Sequence, residues 1–254
     1  MNPRVTIADT TVAILAGGLA TRLGPVTEKL PKALVDVAGR PFIDHQLLLL
    51  SRRGVRRVVL CLGHRGAQVR DHVGDGEAYG LHVDYSFDGA RLLGTGGALK
   101  KAQPVLSRVF MVMYGDSYLD LALQPILDAF ASAYLLGLMT VLRNEGKWDR
   151  SNVFLEAGIL KRYDKYHPTP DMTHVDYGIA VLHQEALARV VAGEPCDLAE
   201  LYGSLVADGQ MAAFEVDRRF YEIGSPQGLA ETRALLGSDE RTPGSTSLGE
   251  GRRP

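Results

Sequence analysis

The residues best suited to chemistry lie in one glycine-rich stretch, residues 15–34, with the sequence LAGGLATRLGPVTEKLPKAL. Gly17 and Gly18 permit backbone conformations that other residues avoid, and they let main-chain amides approach a bound anion closely. The Thr21 hydroxyl can donate a hydrogen bond, and the Arg22 guanidinium offers paired donors that match phosphate oxygens. The stretch therefore predicts a site for triphosphate chemistry.

Lys29 and Lys32 add two further positive charges to this loop, the second directly after Pro31. A glycine turn with scattered cations is also common on α/β surfaces, so neither feature alone would indicate a ligand. The combination favours a functional loop, because about twenty residues contain a strand, two glycines, a Thr-Arg-Leu sequence and a Pro-Lys pair. The loop matches neither G-x-G-x-x-G nor G-x-x-x-x-G-K-[ST], which disfavours dinucleotide-binding proteins and ordinary ATPases.

Asp116 is a candidate metal ligand, because it belongs to a Tyr-Gly-Asp-Ser sequence that follows the apolar run 109–114. This order places its side chain at a carboxyl end of the predicted sheet, where ligands of open α/β folds bind. Mg²⁺ prefers carboxylate and phosphate oxygens, so Asp116 is predicted to bind magnesium beside the α-phosphate. The alternative is a turn aspartate that hydrogen-bonds its own backbone.

Strand-like and helix-like runs alternate around these residues. Apolar runs predict strands at 11–15, 33–37, 58–62, 82–86, 109–114, 137–142, 152–156 and 175–182. Helices are predicted at 41–53, 67–73, 123–134, 197–207 and 226–236. The alternation is typical of an α/β protein, here a three-layer α/β/α sandwich with a mostly parallel mixed sheet.

The composition predicts one large domain. The chain of 254 residues is 46% hydrophobic, and we expect a loose leader at 1–10, the domain at 11–237 and a disordered tail at 238–254. A formal net charge of −2 provides no general attraction to nucleic acid or to an anionic membrane, so neither is an expected partner. No membrane-length apolar run and no signal peptide is visible, which predicts a cytoplasmic location.

Five further motifs follow the glycine loop in order: LLGTGGAL (92–99), YGDS (114–117), YDK (163–165), DYGIAVL (176–182) and EIGSP (222–226). Together with the G-G-x-x-T-R-L and P-K sequences of the glycine-rich loop, these motifs extend over nearly all of residues 10–236. In their order and spacing, the chain resembles the sugar-1-phosphate nucleotidyltransferases, also called nucleotide-sugar pyrophosphorylases. The chain is most similar in kind to the short, single-domain members, such as the heptose-1-phosphate guanylyltransferases and the muramic- and mannose-type enzymes. The resemblance implies a Rossmann-like fold of the glycosyltransferase-A type.

The resemblance also implies a reaction. A sugar 1-phosphate attacks the α-phosphorus of a nucleoside triphosphate in line, giving a nucleotide-diphospho-sugar and pyrophosphate, with Mg²⁺ as cofactor. Charge accumulates on both sides of one phosphorus, so cations must surround it. In the family, the residue matching Arg22 grips the leaving β- and γ-phosphates, and the one matching Lys32 meets the α-phosphate and the sugar phosphate.

Two other functions stay open, and so does a homo-oligomeric state. The first is a catalytically silent nucleotide-sugar sensor or regulatory subunit with the same fold, which the retained Arg22, Lys32 and Asp116 disfavour. The second is a molybdopterin-type nucleotidyltransferase, which shares a similar glycine loop. The GTGGA and YDK motifs disfavour this second alternative.

Matching motif positions imply the remaining site residues. The expected nucleotide-binding residues are Leu15, Ala16, Gly17, Gly18, Thr21, Asp88, Gly94 and Thr95; the sugar-phosphate-binding residues are Gly115, Lys165, Asp176 and Gly178; and the metal ligands are Asp116 and Glu222.

The chain departs from the family pattern at three of these motifs. Glu222 replaces the usual metal-binding aspartate, Asp164 replaces the glutamate before the YDK lysine, and Asp176-Tyr177-Gly178 stands where N-A-G is common. The longer Glu222 side chain would ligate Mg²⁺ only if the backbone or the ion shifts by about a bond length. The alternative is that Glu222 only precedes the last helix.

The base is predicted from the segment 86–95, SFDGARLLGT, which in the family lies beside the nucleobase. Uridylyl- and thymidylyltransferases often carry a glutamine there, and this segment has none. In this segment Asp88 is the polar acceptor whose side chain has a reach similar to that of the missing glutamine. A carboxylate suits the paired N1–H and N2–H donors of guanine. GTP with a heptose or hexose 1-phosphate is the expected substrate pair, and UTP, CTP or dTTP are the alternatives.

Overall fold

The computed structural model of the protein describes residues 5–19, 23–24, 30–144 and 146–239. The strands in these ranges are β1 (Thr11–Leu15), β2 (Asp36–Val37), β3 (Arg40–Pro41), β4 (Arg57–Leu62), β5 (His82–Phe87), β6 (Val109–Tyr114), β7 (Ser117–Tyr118), β8 (Gly137–Arg143), β9 (Val153–Glu156), β10 (Ile159–Tyr163), β11 (His174–His183), β12 (Met211–Val216) and β13 (Tyr221–Glu222). The helices are α1 (Phe42–Arg52), α2 (Gly66–Val73), α3 (Gly94–Ala102), α4 (Leu123–Ala133), α5 (Leu198–Ala207) and α6 (Pro226–Asp239). Short 3₁₀ turns cover Lys32–Leu34, Glu77–Tyr79, Gln103–Val105 and Gln184–Arg189.

A nine-stranded mixed sheet forms the centre of the described chain. Its main path runs β10-β9-β11-β6-β1-β4-β5, and β8 pairs with both β11 and β12. The neighbours β6, β1, β4 and β5 are parallel, as are β8 and β12. Strand β11 runs antiparallel to β6, β8 and β9. The expected mixed sheet is confirmed, and β1 lies in the middle of its parallel part.

Both faces of the sheet are buried under helices. In β1 every residue is buried, and successive side chains point to opposite faces. Val12 and Ile14 belong to an apolar cluster with residues of α1, α2 and α4, whereas Ala13 and Leu15 belong to a second cluster with residues of α3 and α5. The chain therefore has the three layers expected of an α/β/α sandwich.

The predicted strand at 33–37 is wrong. Lys32–Leu34 form a 3₁₀ turn, and only Asp36–Val37 pair, with β3. Ala33, Val35 and Val37 are buried while the residues between them are more exposed, so this turn shows the same alternation as a strand.

Six elements of the structure are absent from the prediction: α3, β10, β12 and the two-residue strands β3, β7 and β13. Helix α3 begins Gly-Thr-Gly-Gly, and glycine is among the poorest helix formers. Strand β10 is exposed on one face, and its sequence contains no continuous apolar run. Strand β12 contains two alanines, which favour strands only weakly. Long-range pairing, with β9 and β8 respectively, makes these two segments strands.

The N-terminal segment packs against the domain from residue 5 onward. The Ile7 amide donates to Gln124 Oε1 at 3.0 Å, and Gln124 Nε2 donates to the Val5 carbonyl at 3.0 Å. The predicted leader and tail boundaries stay predictions, because residues 1–4 and 240–254 lie outside the described ranges. None of the described helices is long and apolar enough to cross a bilayer.

Candidate active site

A cavity of about 240 Å³ opens beyond the carboxyl ends of the parallel strands β1, β4 and β6. Its wall contains Leu15, Ala16, Gly17, Gly18, Lys32, Asp88, Gly94, Thr95, Gly115 and Asp116, all of which the sequence predicts as site residues. Ala33, Cys61, Leu92, Ala98 and Tyr114 complete the wall. Parallel strands end at one edge of the sheet, so loops that are far apart in sequence meet there.

Backbone hydrogen bonds hold the loops of this cavity together. The Ala16 amide donates to the Cys61 carbonyl at 2.9 Å, and the Gly115 amide donates to the Leu15 carbonyl at 2.9 Å. A Cβ atom at Gly115 would lie 2.8 Å from both Ala16 Cβ and the Leu15 carbonyl oxygen. Glycine is therefore required where the loop after β6 crosses the glycine loop.

Lys32 and Asp116 meet across the cavity although 84 positions separate them. Lys32 Nζ lies 3.0 Å from Asp116 Oδ2, and the two side chains are 19% and 27% exposed. The 3₁₀ turn at Lys32–Leu34 presents the lysine, and the turn after β6 presents the aspartate. The structure thus places the predicted loop cation beside the predicted metal ligand.

Gln46 supports the turn that carries Asp116, a role that the sequence analysis missed. This α1 side chain is fully buried, and its Nε2 donates to the Tyr114 carbonyl at 3.1 Å and the Ser117 carbonyl at 2.8 Å. The two carbonyls flank Gly115 and Asp116, so one amide fixes both ends of the turn. The only signal in the sequence is a polar residue within the apolar run of α1.

Glu222 lies beside Asp116 in the backbone, because β13 pairs with β7 and the Ile223 amide donates to the Asp116 carbonyl at 2.9 Å. The Glu222 carboxylate, however, accepts hydrogen bonds from the Gly224 amide, the Ser225 amide and the Ser225 hydroxyl. It therefore stabilises the start of α6, as the alternative interpretation of this residue expects.

Asp116 and Asp88 are the two carboxylates in the wall of the described cavity, and Asp116 is the one that lies beside the loop cation Lys32. In the described part of the chain, no three His, Cys, Asp or Glu side chains converge on a metal position. Mg²⁺ in phosphate-transfer sites is commonly held by one or two carboxylates together with substrate phosphates. The donor set at Asp116 fits that mode of binding.

Lys165 reaches the cavity wall through Asp197. Lys165 Nζ lies 3.0 Å from Asp197 Oδ2, and the hydroxyl of the cavity residue Thr95 donates to Asp197 Oδ1 at 3.1 Å. The predicted helix 197–207 begins at Asp197, and no role in the site was predicted for this residue.

Asp176 and Gly178 form a bulge in β11 next to the cavity. The pairing of β11 with β8 shifts register between Asp176 and Ala180, and Gly178 has a φ of 99°. Asp176 Oδ1 accepts a hydrogen bond from the Gly178 amide at 2.9 Å. A Cβ atom at Gly178 would lie 3.4 Å from the ring of the cavity residue Tyr114. Bulges of this kind often turn side chains toward a site.

The environment of Asp176 is poorly solvated. Burial raises the pKa of its carboxyl from 3.8 to about 6, although the Gly178 amide and Lys165 act in the opposite direction. Burial, with Asp176 as the next cause, also raises the hydroxyl pKa values of Tyr114, Tyr163 and Tyr202. These hydroxyls stay protonated at neutral pH, and Tyr114 is the one of these three tyrosines that lines the cavity.

Asp88 forms the side of the cavity expected to face the base. Its side chain is 9% exposed, and Oδ2 accepts a hydrogen bond from the Leu93 amide at 3.2 Å. Burial raises the pKa of this carboxyl, and the Leu93 amide and Lys101 lower it. Burial also raises the pKa of the neighbouring Cys61 thiol to about 12, so this thiol is not a nucleophile.

Two predicted site residues, Thr21 and Arg22, lie outside the described residues. Tyr177 of the Asp176-Tyr177-Gly178 motif packs in the core: it is 2% exposed and makes an edge contact with Phe220 at a ring distance of 5.9 Å. The turn residue His64 accepts from Arg65 Nε at 3.0 Å and does not line the cavity.

Comparison with known proteins shows similarity along most of the chain. The family model described as Nucleotidyl transferase matches residues 11–148. An N-acetylmuramate alpha-1-phosphate uridylyltransferase of Caulobacter vibrioides is 30% identical over 234 residues, covering 88% of this chain and 95% of that protein. A mannose-1-phosphate guanyltransferase of Gibberella zeae is 26% identical over 242 residues, which is 92% of this chain but only 66% of that protein.

A solved structure shows the same fold. The inositol-1-phosphate CTP transferase from T. maritima superposes with a TM-score of 0.74 at 20% identity, covering 93% of this chain and 99% of that one.

Proposed function

The chain belongs to the nucleotidyl transferase family, and we propose on this basis that it transfers a nucleotidyl group from a nucleoside triphosphate to a sugar 1-phosphate. Pyrophosphate is the second product. The observation that supports this proposal most directly is the Lys32–Asp116 pair in a cavity whose wall also contains Gly17 and Gly18. A cation, a carboxylate and two glycines at one strand edge suit a polyphosphate and its metal.

In the proposed reaction, Lys32 stabilises the charge that develops at the α-phosphate during attack by the sugar phosphate. Its low exposure strengthens this interaction, because fewer waters screen the ammonium. Arg22, assigned from its motif, would hold the leaving phosphates. The cavity residues align the two substrates, and no covalent intermediate on the enzyme is required.

Asp116 is the residue proposed to hold Mg²⁺, together with phosphate oxygens of the substrate. Bound magnesium would neutralise phosphate charge. Lys32 Nζ at 3.0 Å from Asp116 Oδ2 holds this carboxylate at the cavity until substrates arrive. Glu222 is the weaker candidate, because three donors of residues 224 and 225 already contact its carboxylate.

We propose GTP as the nucleotide. The backbone atoms that could otherwise recognise the base are partly in use: the Leu15 carbonyl accepts from Gly115, the Ala16 amide donates to Cys61, and the Gly17 carbonyl accepts from His64. Asp88 retains acceptor capacity beyond its bond to Leu93, which suits the paired donors of guanine. The similarity to a uridylyltransferase makes UTP the main competitor.

The sugar phosphate is proposed to bind between Gly115 of the cavity wall and the residues Lys165, Asp176 and Gly178, which lie outside the wall. Lys165 supplies positive charge for the phosphate, and Asp176 accepts hydrogen bonds from sugar hydroxyls. A heptose or hexose 1-phosphate is the preferred substrate. The cytoplasmic location and the oligomeric state stay predictions.

The proposal is tested by pyrophosphate release with each of GTP, UTP, CTP and ATP against mannose, glucose, heptose and N-acetylmuramic acid 1-phosphates, with and without Mg²⁺. Activity is expected with GTP, reduced at least about 100-fold by Lys32→Ala, with an unchanged circular dichroism spectrum. Lys161→Ala is the matched control, because Lys161 is an exposed lysine of β10 that pairs with Glu156.

The Asp88→Ala variant tests the base assignment in the same assay. Loss of the preference for GTP is expected, because the carboxylate would no longer accept from guanine. A preference for a pyrimidine triphosphate, or a GTP preference that Asp88→Ala leaves intact, contradicts the assignment. Binding of substrates without turnover would instead indicate a sensor or regulatory subunit.

A further inference from the structure

The carboxylate of Asp197 accepts four hydrogen bonds from three parts of the chain. Oδ1 accepts from the Thr95 hydroxyl at 3.1 Å and from the Ala199 amide at 2.9 Å. Oδ2 accepts from Lys165 Nζ at 3.0 Å and from the Tyr166 hydroxyl at 2.8 Å. A carboxylate has about four acceptor positions, so this one is saturated and has no capacity left for a substrate hydroxyl.

The donors come from the cavity wall, from the segment after β10 and from the first turn of α5. Thr95 is in the first turn of α3 and lines the cavity, whereas Lys165 and Tyr166 follow β10. The Thr95 hydroxyl also accepts from the Leu198 amide at 2.7 Å, which ties α3 to the first turn of α5. Asp197 therefore connects the nucleotide side of the site with the lysine of the sugar-phosphate side.

Hydrogen bonds stabilise the negative charge of the Asp197 carboxylate. Burial acts to raise the pKa of its carboxyl, but hydrogen bonds from the Ala199 amide, Lys165 and Tyr166 outweigh burial and lower it. The carboxylate is consequently ionised at neutral pH and can orient the Lys165 ammonium. The two side chains are only partly exposed, 28% for Asp197 and 44% for Lys165.

We infer that Asp197 is a positioning residue, which holds Lys165 at a set distance from the nucleotide side so that its ammonium meets the phosphate of the sugar 1-phosphate. This inference rests on the proposed function. Asp197 does not bind the substrates itself, since its oxygens are saturated. Because the lysine side chain is flexible, holding it in place before the substrate binds reduces the entropy that is lost on binding.

A purely structural role is the competing explanation, because Asp197 is also the N-cap of α5. The Asp197→Asn variant separates the two roles. Asparagine caps helices as well as aspartate does, so Oδ1 can still accept from Ala199 and Thr95. Its amide nitrogen cannot accept a hydrogen bond, so the contact with the Lys165 ammonium is lost.

The experiment measures KM for the sugar phosphate, KM for the nucleotide, kcat and Tm. For Asp197→Asn we expect a KM for the sugar phosphate raised about tenfold, a KM for the nucleotide within about twofold, and an unchanged Tm. Asp208→Asn is the matched control, because Asp208 at the other end of α5 pairs with Arg189 and should leave both KM values unchanged.

A double-mutant cycle with Lys165→Met tests whether Asp197 acts through the lysine. If it does, Asp197→Asn has no further effect on the KM for the sugar phosphate in the Lys165→Met background. An unchanged KM in the single variant, or an equal effect of Asp197→Asn with and without the lysine, overturns the inference.

The same cycle can be read by calorimetric binding of the sugar phosphate, so it does not depend on turnover. A wild-type chain that binds sugar phosphate without turning it over contradicts the proposed function, while the cycle still decides the role of Asp197. A wild-type chain that binds none of the sugar phosphates overturns both.

Discussion

Replacing Asp176 by Asn should make the protein more stable at neutral pH and leave its stability unchanged in acid. The Asp176 carboxyl is partly buried in the β11 bulge, and burial raises its pKa from 3.8 to about 6. A raised pKa means that the folded chain holds the proton more tightly than the unfolded chain. Stability therefore falls as the pH rises through the interval between these two values, because the folded chain must then carry a poorly solvated charge.

The size of the effect follows from the difference between the two pKa values. At about 1.4 kcal/mol per pH unit, the ionised Asp176 costs the folded state up to about 3 kcal/mol. Residual solvent at this partly buried side chain reduces the expected gain to about 1–2 kcal/mol above pH 7. Asparagine keeps the hydrogen bond from the Gly178 amide, because its Oδ1 can accept it.

Urea unfolding of both proteins between pH 4 and pH 8 measures the difference. The free energies of unfolding should coincide near pH 4 and separate between pH 4 and pH 6. Charged groups that do not interact with Asp176 cancel in the difference, whereas the attraction between Asp176 and Lys165 is already contained in the pKa of about 6. Asp71→Asn, at an exposed carboxylate, should show no such pH dependence. A constant difference across the whole range would refute the burial of an ionised Asp176.

Two further changes test the support of the turn that carries Asp116 and of the start of α6. Gln46→Met keeps the side-chain volume but leaves the Tyr114 and Ser117 carbonyls without the donor that Gln46 supplies. It should therefore lower the free energy of unfolding by about 2 kcal/mol and reduce turnover. Normal turnover would show that the turn holds its geometry without Gln46. Glu222→Ala should lower the free energy of unfolding by about 1 kcal/mol without changing the Mg²⁺ concentration for half-maximal rate, and a strong rise in that concentration would restore Glu222 as a metal ligand.

The sequence was sufficient for the architecture and for most of the cavity wall. The apolar runs of β1, β4, β6 and β11 are long, rich in branched residues and bounded by glycine or polar turns, so their strand character is encoded locally. In an α/β fold the carboxyl ends of parallel strands share one edge, so the order of the motifs predicts that Gly17, Asp88 and Asp116 meet. The structure brings these residues into one cavity.

The direction of individual side chains was decided only by the tertiary structure. Glu222 and Asp116 are neighbours in the backbone as their motifs imply, yet the Glu222 carboxylate turns to the first residues of α6, where three donors are available. These donors lie only two and three positions further along the chain, so the sequence offers them as local partners, but the competition between them and the cavity for the carboxylate is decided in the folded chain.

The supporting residues Gln46 and Asp197 depend on contacts between positions far apart in the chain. Gln46 bonds residues 68 and 71 positions away, and Asp197 bonds Thr95 at a separation of 102. Such partners are set by the placement of β1 between β4 and β6 and by the packing of α5 against α3, which no local periodicity specifies. A polar residue within a helix and an aspartate at a helix start have many possible partners, and the fold selects one set by the donors and acceptors that it brings within reach.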